Sequence, residues 1–283
     1  MVIPITGKTV VVTGGSRYSL GLNSWAIRRA GPIGIERSPA RRGIGLGLVK
    51  KLLARENVVI ATSRSSADAA HLLALRTQYG DRLQLTDLDT TATSSIAAWA
   101  EEVKRRTKHV DLLVNNAGVY GKRPNLEDFT EEDFLFAFRT NAMGPFFVVQ
   151  QLLKQARGRA LPRGPGWEEW RELLGPPGSL IVNISSIVGS NTDPTVSATS
   201  KGGYAYRASK AALNIISTTL ARDLAEQRIT CVALHPGYVR TDLTGGNGWV
   251  DVEESAGGMV DVLESGEPLN GRFLSYKGEE IPW

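Results

Sequence analysis

The chain has 283 residues, 42% of them hydrophobic, with 33 lysines and arginines against 29 aspartates and glutamates. This composition supports a large buried core and excludes a mostly disordered chain, while the single cysteine, Cys231, excludes an internal disulfide and a cysteine-rich zinc site. Residues 18–42 hold five arginines and one glutamate and so account for the whole net charge of +4, which means that the high isoelectric point does not indicate a nucleic-acid-binding surface.

Apolar strand-like runs alternate with helix-like runs along most of the chain. Strands are predicted at residues 8–13, 57–62, 83–86, 110–114, 179–184 and 229–234, and helices at residues 46–56, 67–79, 96–107, 131–156 and 204–227. The strands lack clean alternation, which is typical of strands that helices cover on both faces. The pattern predicts an α/β fold, a single doubly wound domain over residues 1–283 with a parallel sheet flanked by helices on both faces.

A glycine-rich turn follows the first predicted strand, but it is interrupted. The sequence reads GGSR at residues 14–17 and GIG at residues 43–45, with residues 18–42 between them. Joined, the two pieces form a turn whose glycines let a pyrophosphate approach the start of the next helix. Two explanations of the insertion stay open. One is a retained intron, since the segment keeps the reading frame and its codons can place GT and AG at its ends; the other is a genuine surface insertion, which loops tolerate.

A series of motifs makes the chain resemble the short-chain dehydrogenase/reductase family. After the split glycine turn come Asp87, NNAG at residues 115–118, Asn141, NISS at residues 183–186, YRASK at residues 206–210 and PG at residues 236–237. Residues 203–213 and 281–283 are most similar to the C-factor/sniffer-type carbonyl reductase subgroup. The resemblance implies a Rossmann-type, NAD(P)-binding domain that transfers hydride between the cofactor and a carbonyl/alcohol pair.

The candidate catalytic residues begin with Tyr206 and Lys210, which are four apart and therefore share one helix face. A phenol has a pKa of about 10, and a nearby ammonium lowers such a pKa by stabilising the phenolate. The resemblance implies that Tyr206 exchanges a proton with the substrate oxygen and that Lys210 also binds the nicotinamide ribose. It implies that Ser186 holds the substrate oxygen and that Asn141 supports a proton-relay water. Ser185 stays an alternative to Ser186, because the spacing from Ser186 to the tyrosine is longer than is usual in the family.

The end of the second predicted strand bears on the cofactor. Residues 61–65 read ATSRS, without the carboxylate that NAD-specific relatives place on the ribose 2′-hydroxyl. Arg64 can pair with a 2′-phosphate, and Arg17 could be a second partner, so the sequence favours NADP(H) over NAD(H). The alternative for Arg64 is a solvated loop charge, and Asp87 is expected either to bind the adenine amino group or to cap a helix.

The resemblance implies a larger set of cofactor-binding residues. They are Gly14, Ser16, Arg17, Gly43, Ile44, Gly45, Arg64, Asp87, Asn115, Ala117, Gly118, Tyr206, Lys210, Pro236, Gly237, Val239 and Thr241. Asn115, Ala117 and Gly118 are expected on the adenine-ribose side, and the residues that follow the sixth strand are expected near the nicotinamide amide. Residues 243–250 are expected to form a mobile lid over the nicotinamide.

The predicted function is that of an NADP(H)-dependent oxidoreductase that interconverts a carbonyl and an alcohol with Tyr206 as acid/base. Two alternatives stay open: a dinucleotide-binding redox regulator without turnover, and a mis-spliced product impaired in cofactor binding. The expected partner is a small-molecule carbonyl or alcohol, with no nucleic acid, membrane or metal, and a homodimer or homotetramer is plausible. No apolar run has the roughly 20 residues of a membrane helix and no secretory signal is evident, so a cytoplasmic location is expected.

Overall fold

The computed structural model describes residues 4–15, 43–121, 125–157 and 178–283, so the insertion at residues 18–42 lies outside the described residues. The strands are β1 (Thr9–Val12), β2 (Val58–Ser63), β3 (Leu83–Asp87), β4 (Leu112–Asn115), β5 (Leu180–Ile184), β6 (Thr230–His235) and β7 (Phe273–Ser275). The α-helices are α1 (Ile44–Leu53), α2 (Ala70–Tyr79), α3 (Thr93–Arg106), α4 (Glu131–Phe138), α5 (Gly144–Arg157), α6 (Val196–Thr199), α7 (Tyr204–Asp223) and α8 (Val252–Glu264). Within these ranges, none of the helices combines the length and apolar character that crossing a membrane requires.

All seven strands form one parallel sheet in the order β3-β2-β1-β4-β5-β6-β7. Strand β1 is buried on both faces: Val10 and Val12 pack in a cluster with Leu48 of α1, whereas Val11 packs in a second cluster with Trp99 of α3. This confirms the predicted doubly wound α/β architecture. Because the strand order reverses between β1 and β4, the loops after these two strands leave a crevice at the carboxyl edge of the sheet.

The long helix predicted at residues 131–156 is interrupted by a π-helical turn. Helix α4 ends at Phe138, the π turn spans Arg139–Met143, and α5 begins at Gly144. Such turns insert an extra residue into the helical ladder and recur at functional sites. Here the π turn carries Asn141, whose side chain is fully buried.

Two elements at the carboxyl end of the chain were missing from the prediction. Helix α8 packs against α1, and the three-residue strand β7 adds an edge to the sheet by pairing with β6. A strand this short leaves no apolar run long enough to be recognised in the sequence.

Candidate active site

A cleft opens at the carboxyl edge of the sheet. Its walls come from the loops that follow β1, β4, β5 and β6, together with the start of α1 and one face of α7. Ligands of doubly wound sheets bind in this crevice, where the strand order reverses. The cleft is therefore the place to compare with the predicted site residues.

The two halves of the interrupted glycine turn meet at this cleft. Gly14 and Gly15 follow β1, Gly43 and Gly45 flank the start of α1, and all four glycines line the cavity. A Cβ on Gly14 would lie 2.9 Å from Ala117 Cα, and one on Gly45 would lie 2.5 Å from the Gly14 carbonyl oxygen. The backbone segments thus pack too closely for side chains, as a phosphate-binding turn requires.

The start of α1 is suited to an anion. Gly43 occupies the N-cap position, and no side chain of the described residues caps the first backbone N–H groups of the helix. Such groups lack intrahelical acceptors and carry the positive end of the helix dipole. Asn116 Nδ2 donates to the carbonyl oxygens of Thr13 and Gly14 at 3.0 and 3.1 Å, which fixes the turn beside the helix start. These residues fit a dinucleotide pyrophosphate.

Tyr206 and Lys210 extend from the same face of α7 into the cleft. Lys210 Nζ lies 5.8 Å from the centre of the Tyr206 ring and donates a 2.6 Å hydrogen bond to the Ile184 carbonyl oxygen. Both residues are buried, with 9% of Tyr206 and 4% of Lys210 exposed. The structure therefore places the phenol and the ammonium together, on the helix face that their spacing predicts.

The Asn141 amide joins the loop after β4 to helix α7. Its Oδ1 accepts from the Val119 N–H at 2.8 Å, and its Nδ2 donates to the Val119 carbonyl oxygen at 2.8 Å and to Ser209 Oγ at 2.9 Å. A Cβ on Gly118 would lie 3.2 Å from Asn141 Oδ1 and 3.7 Å from Lys210 Nζ. Asn141 thus borders the same small space as Lys210, although protein groups already engage its amide.

The two candidate serines follow β5 and differ in their hydrogen bonding. Ser185 lines the cleft, but its hydroxyl donates to Asn214 Oδ1 at 2.5 Å. Ser186 is 8% exposed, and its hydroxyl forms no hydrogen bond within the described part of the chain. Ser185 thus reaches the cleft with a committed hydroxyl, whereas Ser186 has an uncommitted hydroxyl and does not line the cleft, so the choice between them stays a prediction.

Most of the predicted cofactor residues reach the cleft. Those that line it are Gly14, Gly43, Ile44, Gly45, Gly118, Tyr206, Lys210, Pro236 and Thr241. Arg64 and Asp87 do not line it: Arg64 follows β2 and Asp87 ends β3, at the carboxyl edge of the sheet where Ser63 pairs with Asp87. Asp87 Oδ1 accepts from the Ser66 N–H at 2.6 Å and caps no helix of the described chain. Ser16 and Arg17 lie outside the described residues.

Two predicted cofactor residues keep their side chains away from the cleft. Asn115 is 2% exposed, and its Nδ2 donates to Asn183 Oδ1 at 2.9 Å within the sheet. Val239 is 2% exposed and pairs with Val250. Neither residue is among those that line the cleft, so cofactor contact by Asn115 and Val239 stays a prediction. Ala117 and Gly237 lie next to the lining, Ala117 against Gly14 and Gly237 after Pro236.

Four residues that line the cleft were absent from the predicted glycine turn, catalytic set, cofactor set and lid. They are Asn116, Val119, Ile184 and Asp242. Asn116 carried a usable signal, since side chains of successive strand residues point to opposite sides and only one of two adjacent asparagines can enter the sheet interior. Ile184 is the last residue of β5, whereas Val119 and Asp242 are placed by loop conformation, which no periodicity encodes.

The predicted lid at residues 243–250 belongs to a loop closed by hydrogen bonds. The N–H groups of Trp249 and Val250 both donate to the Tyr238 carbonyl oxygen, at 2.8 and 3.2 Å, and the Arg240 N–H donates to the Val250 carbonyl oxygen at 2.9 Å. Leu243 lines the cleft from this loop. The loop therefore covers one side of the cavity, and its mobility stays a prediction.

His235 and Cys231 lie on β6 and supply no charge at neutral pH. Burial lowers the pKa of His235 to about 4, with nearby Asp193 opposing this shift and Lys210 adding to it, and its buried Nδ1 has no hydrogen-bond partner in the described ranges. Burial raises the pKa of the Cys231 thiol to about 12. Among the described residues, no group of His, Cys, Asp and Glu side chains could hold a metal ion.

The chain is similar to known proteins over most of its length. The family model for short chain dehydrogenase matches residues 39–163 and 167–248. The chain is 36% identical over 181 residues to the C-signal of Myxococcus xanthus, an alignment that covers 62% of this chain and 95% of that protein.

Solved structures extend the similarity to nearly the whole chain. The NADPH-bound carbonyl reductase from chicken fatty liver has a TM-score of 0.75 and 31% sequence identity, covering 98% of this chain and 100% of that chain. The carbonyl reductase Sniffer of D. melanogaster has a TM-score of 0.74 and 28% identity, with 98% and 100% coverage.

Proposed function

The chain belongs to the short-chain dehydrogenase/reductase family of oxidoreductases, and on that premise we propose that it interconverts a carbonyl and an alcohol by hydride transfer with NADP(H). One observation carries the proposal: Tyr206 and Lys210 lie together in the same cleft as both halves of the glycine turn. A dinucleotide cradle and an acid–base pair thus share one cavity. The two carbonyl reductases of the same fold support this reading.

The proposal of NADP(H) rather than NAD(H) rests on the end of β2. Strand β2 ends at Ser63 and is followed by the exposed Arg64, so the position after the strand carries a cation instead of a carboxylate. A guanidinium pairs well with a phosphate, whereas the ribose 2′-hydroxyl is best held by an acid. The chicken carbonyl reductase was solved with NADPH bound, which agrees with this choice.

When bound in this cleft, NADPH would supply the hydride for the carbonyl carbon in the reductive direction. Tyr206 donates its phenolic proton to the carbonyl oxygen, and Lys210 stabilises the phenolate that remains. Ser186 donates a hydrogen bond to the same oxygen and orients it. In the oxidative direction the Tyr206 phenolate takes the proton back from the alcohol.

Asn141 supports the arrangement of Tyr206 and Lys210 through its hydrogen bonds. By holding both backbone groups of Val119 and the hydroxyl of Ser209, it fixes the β4 loop against α7 beside Lys210. A relay water in the space next to Gly118 would return a proton to Tyr206 by way of Lys210.

The substrate proposed is a small to medium, partly apolar ketone or aldehyde, and reduction is favoured because cytosolic NADPH usually drives that direction. Residues 191–203 and 244–259 would shape its pocket. The homo-oligomeric state and the cytoplasmic location expected from the sequence stay predictions.

The test is NADPH oxidation, followed by absorbance, with a panel of aromatic and aliphatic aldehydes and ketones. We expect turnover by the wild-type chain and a loss of about 10²- to 10⁴-fold in Tyr206→Phe, with NADPH binding retained, because only the proton-transferring oxygen is removed. Tyr204→Phe is the matched control: this tyrosine lies on the same helix, is 44% exposed and should keep full activity.

Two other results would replace the proposal. Tight NADPH binding without turnover of any panel member would favour a redox regulator. Weak NADPH binding that recovers when residues 18–42 are deleted would favour a mis-spliced product. Full activity in Tyr206→Phe would overturn the assignment of the acid/base.

A further inference from the structure

We infer that Tyr120 is a positioning residue for Tyr206, holding the ring of the proposed acid/base in its working orientation. The inference rests on the proposed function. Its starting point is a direct contact: the rings of Tyr120 and Tyr206 are stacked, with centroids 4.7 Å apart and planes inclined by 23°. A phenol that must present one oxygen to a substrate needs a defined ring orientation, and a stacked neighbour restricts rotation of that ring.

The backbone that carries Tyr120 is itself anchored. The preceding residue, Val119, has its N–H and its carbonyl oxygen both bonded to the Asn141 amide at 2.8 Å. The buried π turn thereby fixes the loop after β4 at the point where Tyr120 leaves it. The position of the Tyr120 ring is thus set by a hydrogen-bonded clamp and not by the stacking alone.

A glycine at the start of α7 makes room for the other end of the Tyr120 side chain. Gly203 has a φ of 68° and occupies the N-cap position of α7. A Cβ on Gly203 would lie 2.5 Å from the Tyr120 hydroxyl oxygen and 3.3 Å from its Cζ. A side chain at position 203 would therefore force the Tyr120 hydroxyl or the backbone of Gly203 to shift.

These contacts define a three-part support. The Asn141 amide holds the backbone next to Tyr120, and Gly203 leaves space for the Tyr120 hydroxyl. The Tyr120 ring stacks on the ring of Tyr206. Lys210 then approaches the ring of Tyr206 at 5.8 Å from its own position on α7. The support acts through Tyr206, so Tyr120 need not exchange a proton with the substrate.

The first experiment compares Tyr120→Phe with Tyr120→Ala, using the panel carbonyl that the wild-type chain reduces fastest. We expect kcat to fall about 2- to 12-fold in Tyr120→Ala, the range expected for loss of one aromatic pair, with the Kd for NADPH unchanged. Tyr120→Phe keeps the ring and should keep kcat. An unchanged kcat in Tyr120→Ala, or an equal loss in both variants, would overturn the inference.

The second experiment uses the glycines as a matched pair. Gly202 has a φ of 70° and no heavy atom within 4 Å of an added Cβ, so Gly202→Ala imposes a similar backbone strain without touching Tyr120. We expect Gly203→Ala to lower kcat more than Gly202→Ala does. When both variants also carry Tyr120→Ala, this difference in kcat should vanish, because the side chain that the new Cβ would contact is absent. Persistence of the difference would show that Gly203 acts through the helix start instead.

A third measurement does not depend on turnover. With 3-fluorotyrosine placed at position 206, the ¹⁹F resonance should stay near its wild-type position in Tyr120→Phe and move towards that of the denatured chain in Tyr120→Ala. If the resonance moves as expected while Tyr206→Phe keeps full activity, the proposed function fails and the positioning contact stands. If Tyr206→Phe is inactive but the resonance is the same in both Tyr120 variants, only the positioning inference fails.

Discussion

Replacing Gly45 by alanine tests the closest approach in the glycine turn. The new Cβ would lie 2.5 Å from the Gly14 carbonyl oxygen and 2.5 Å from Asn116 Nδ2, and both would have to withdraw to at least 3.4 Å for an ordinary contact. Gly45 lies within α1 and needs no left-handed conformation, so alanine itself would favour the helix. Any loss of affinity for NADPH in this variant therefore comes from displacement of the turn.

Overpacking at a rigid site costs about 1–3 kcal/mol, which corresponds to a decrease of about 5- to 150-fold in affinity for NADPH if the displaced turn holds the pyrophosphate. The measurement is a fluorescence titration with NADPH, combined with thermal unfolding to confirm that the variant is folded. We expect the weaker binding to appear for NADPH and NADH alike, since the pyrophosphate is common to both.

Gly257→Ala on α8 is the matched control. Its Cβ would meet only Lys51 Cε at 3.7 Å, so this variant should bind NADPH like the wild type and gain about 0.5–1 kcal/mol in stability. Wild-type affinity in Gly45→Ala would refute the assignment of this turn to the pyrophosphate.

Three further outcomes are expected. Arg64→Ala should weaken NADPH binding far more than NADH binding in the same titration, and equal losses would remove the argument from the 2′-phosphate. Deletion of residues 18–42 should leave NADPH binding unchanged, because both halves of the glycine turn already line one cavity, whereas stronger binding after the deletion would favour the mis-spliced product. Because burial lowers the pKa of His235 from 6.5 to about 4, protonation favours the unfolded chain, so stability should be complete above pH 6.5 and fall as the pH is lowered towards 4. Urea unfolding at several pH values should show that the free energy of unfolding falls less steeply with decreasing pH in His235→Gln than in the wild type. The same pH dependence in both proteins would contradict a neutral, buried imidazole in the folded chain.

The fold was predictable because the strands appear in the sequence as short, continuous apolar runs. Residues 58–61 (VVIA) and 180–182 (LIV) are apolar at every position, which is typical of a strand covered on both faces. The split glycine turn was also legible, since Gly15 and Gly43 line one cavity even though residues 18–42 stand between them in sequence.

Other parts of the site depend on geometry that periodicity does not carry. The π turn at Arg139–Met143 adds one residue to a helix whose apolar pattern continues on both sides, so the sequence predicts a single helix. Tyr120 belongs to no motif, and its stacking on Tyr206 arises where the loop after β4 meets the first turn of α7, two segments that are distant in sequence. Asn115 and Asn116 are chemically identical, and only the orientation of the end of β4 decides which one enters the cleft.

The burial of Cys231 makes this chain a convenient host for site-specific probes. Its thiol is the only one in the sequence, lies fully inside the sheet and resists ionisation, so maleimide reagents should leave it unlabelled. A cysteine introduced in place of Trp249, which is 75% exposed on the loop beside the cleft, would then be the sole reactive position. A dye or spin label there would report directly on whether that loop shifts when a dinucleotide is added.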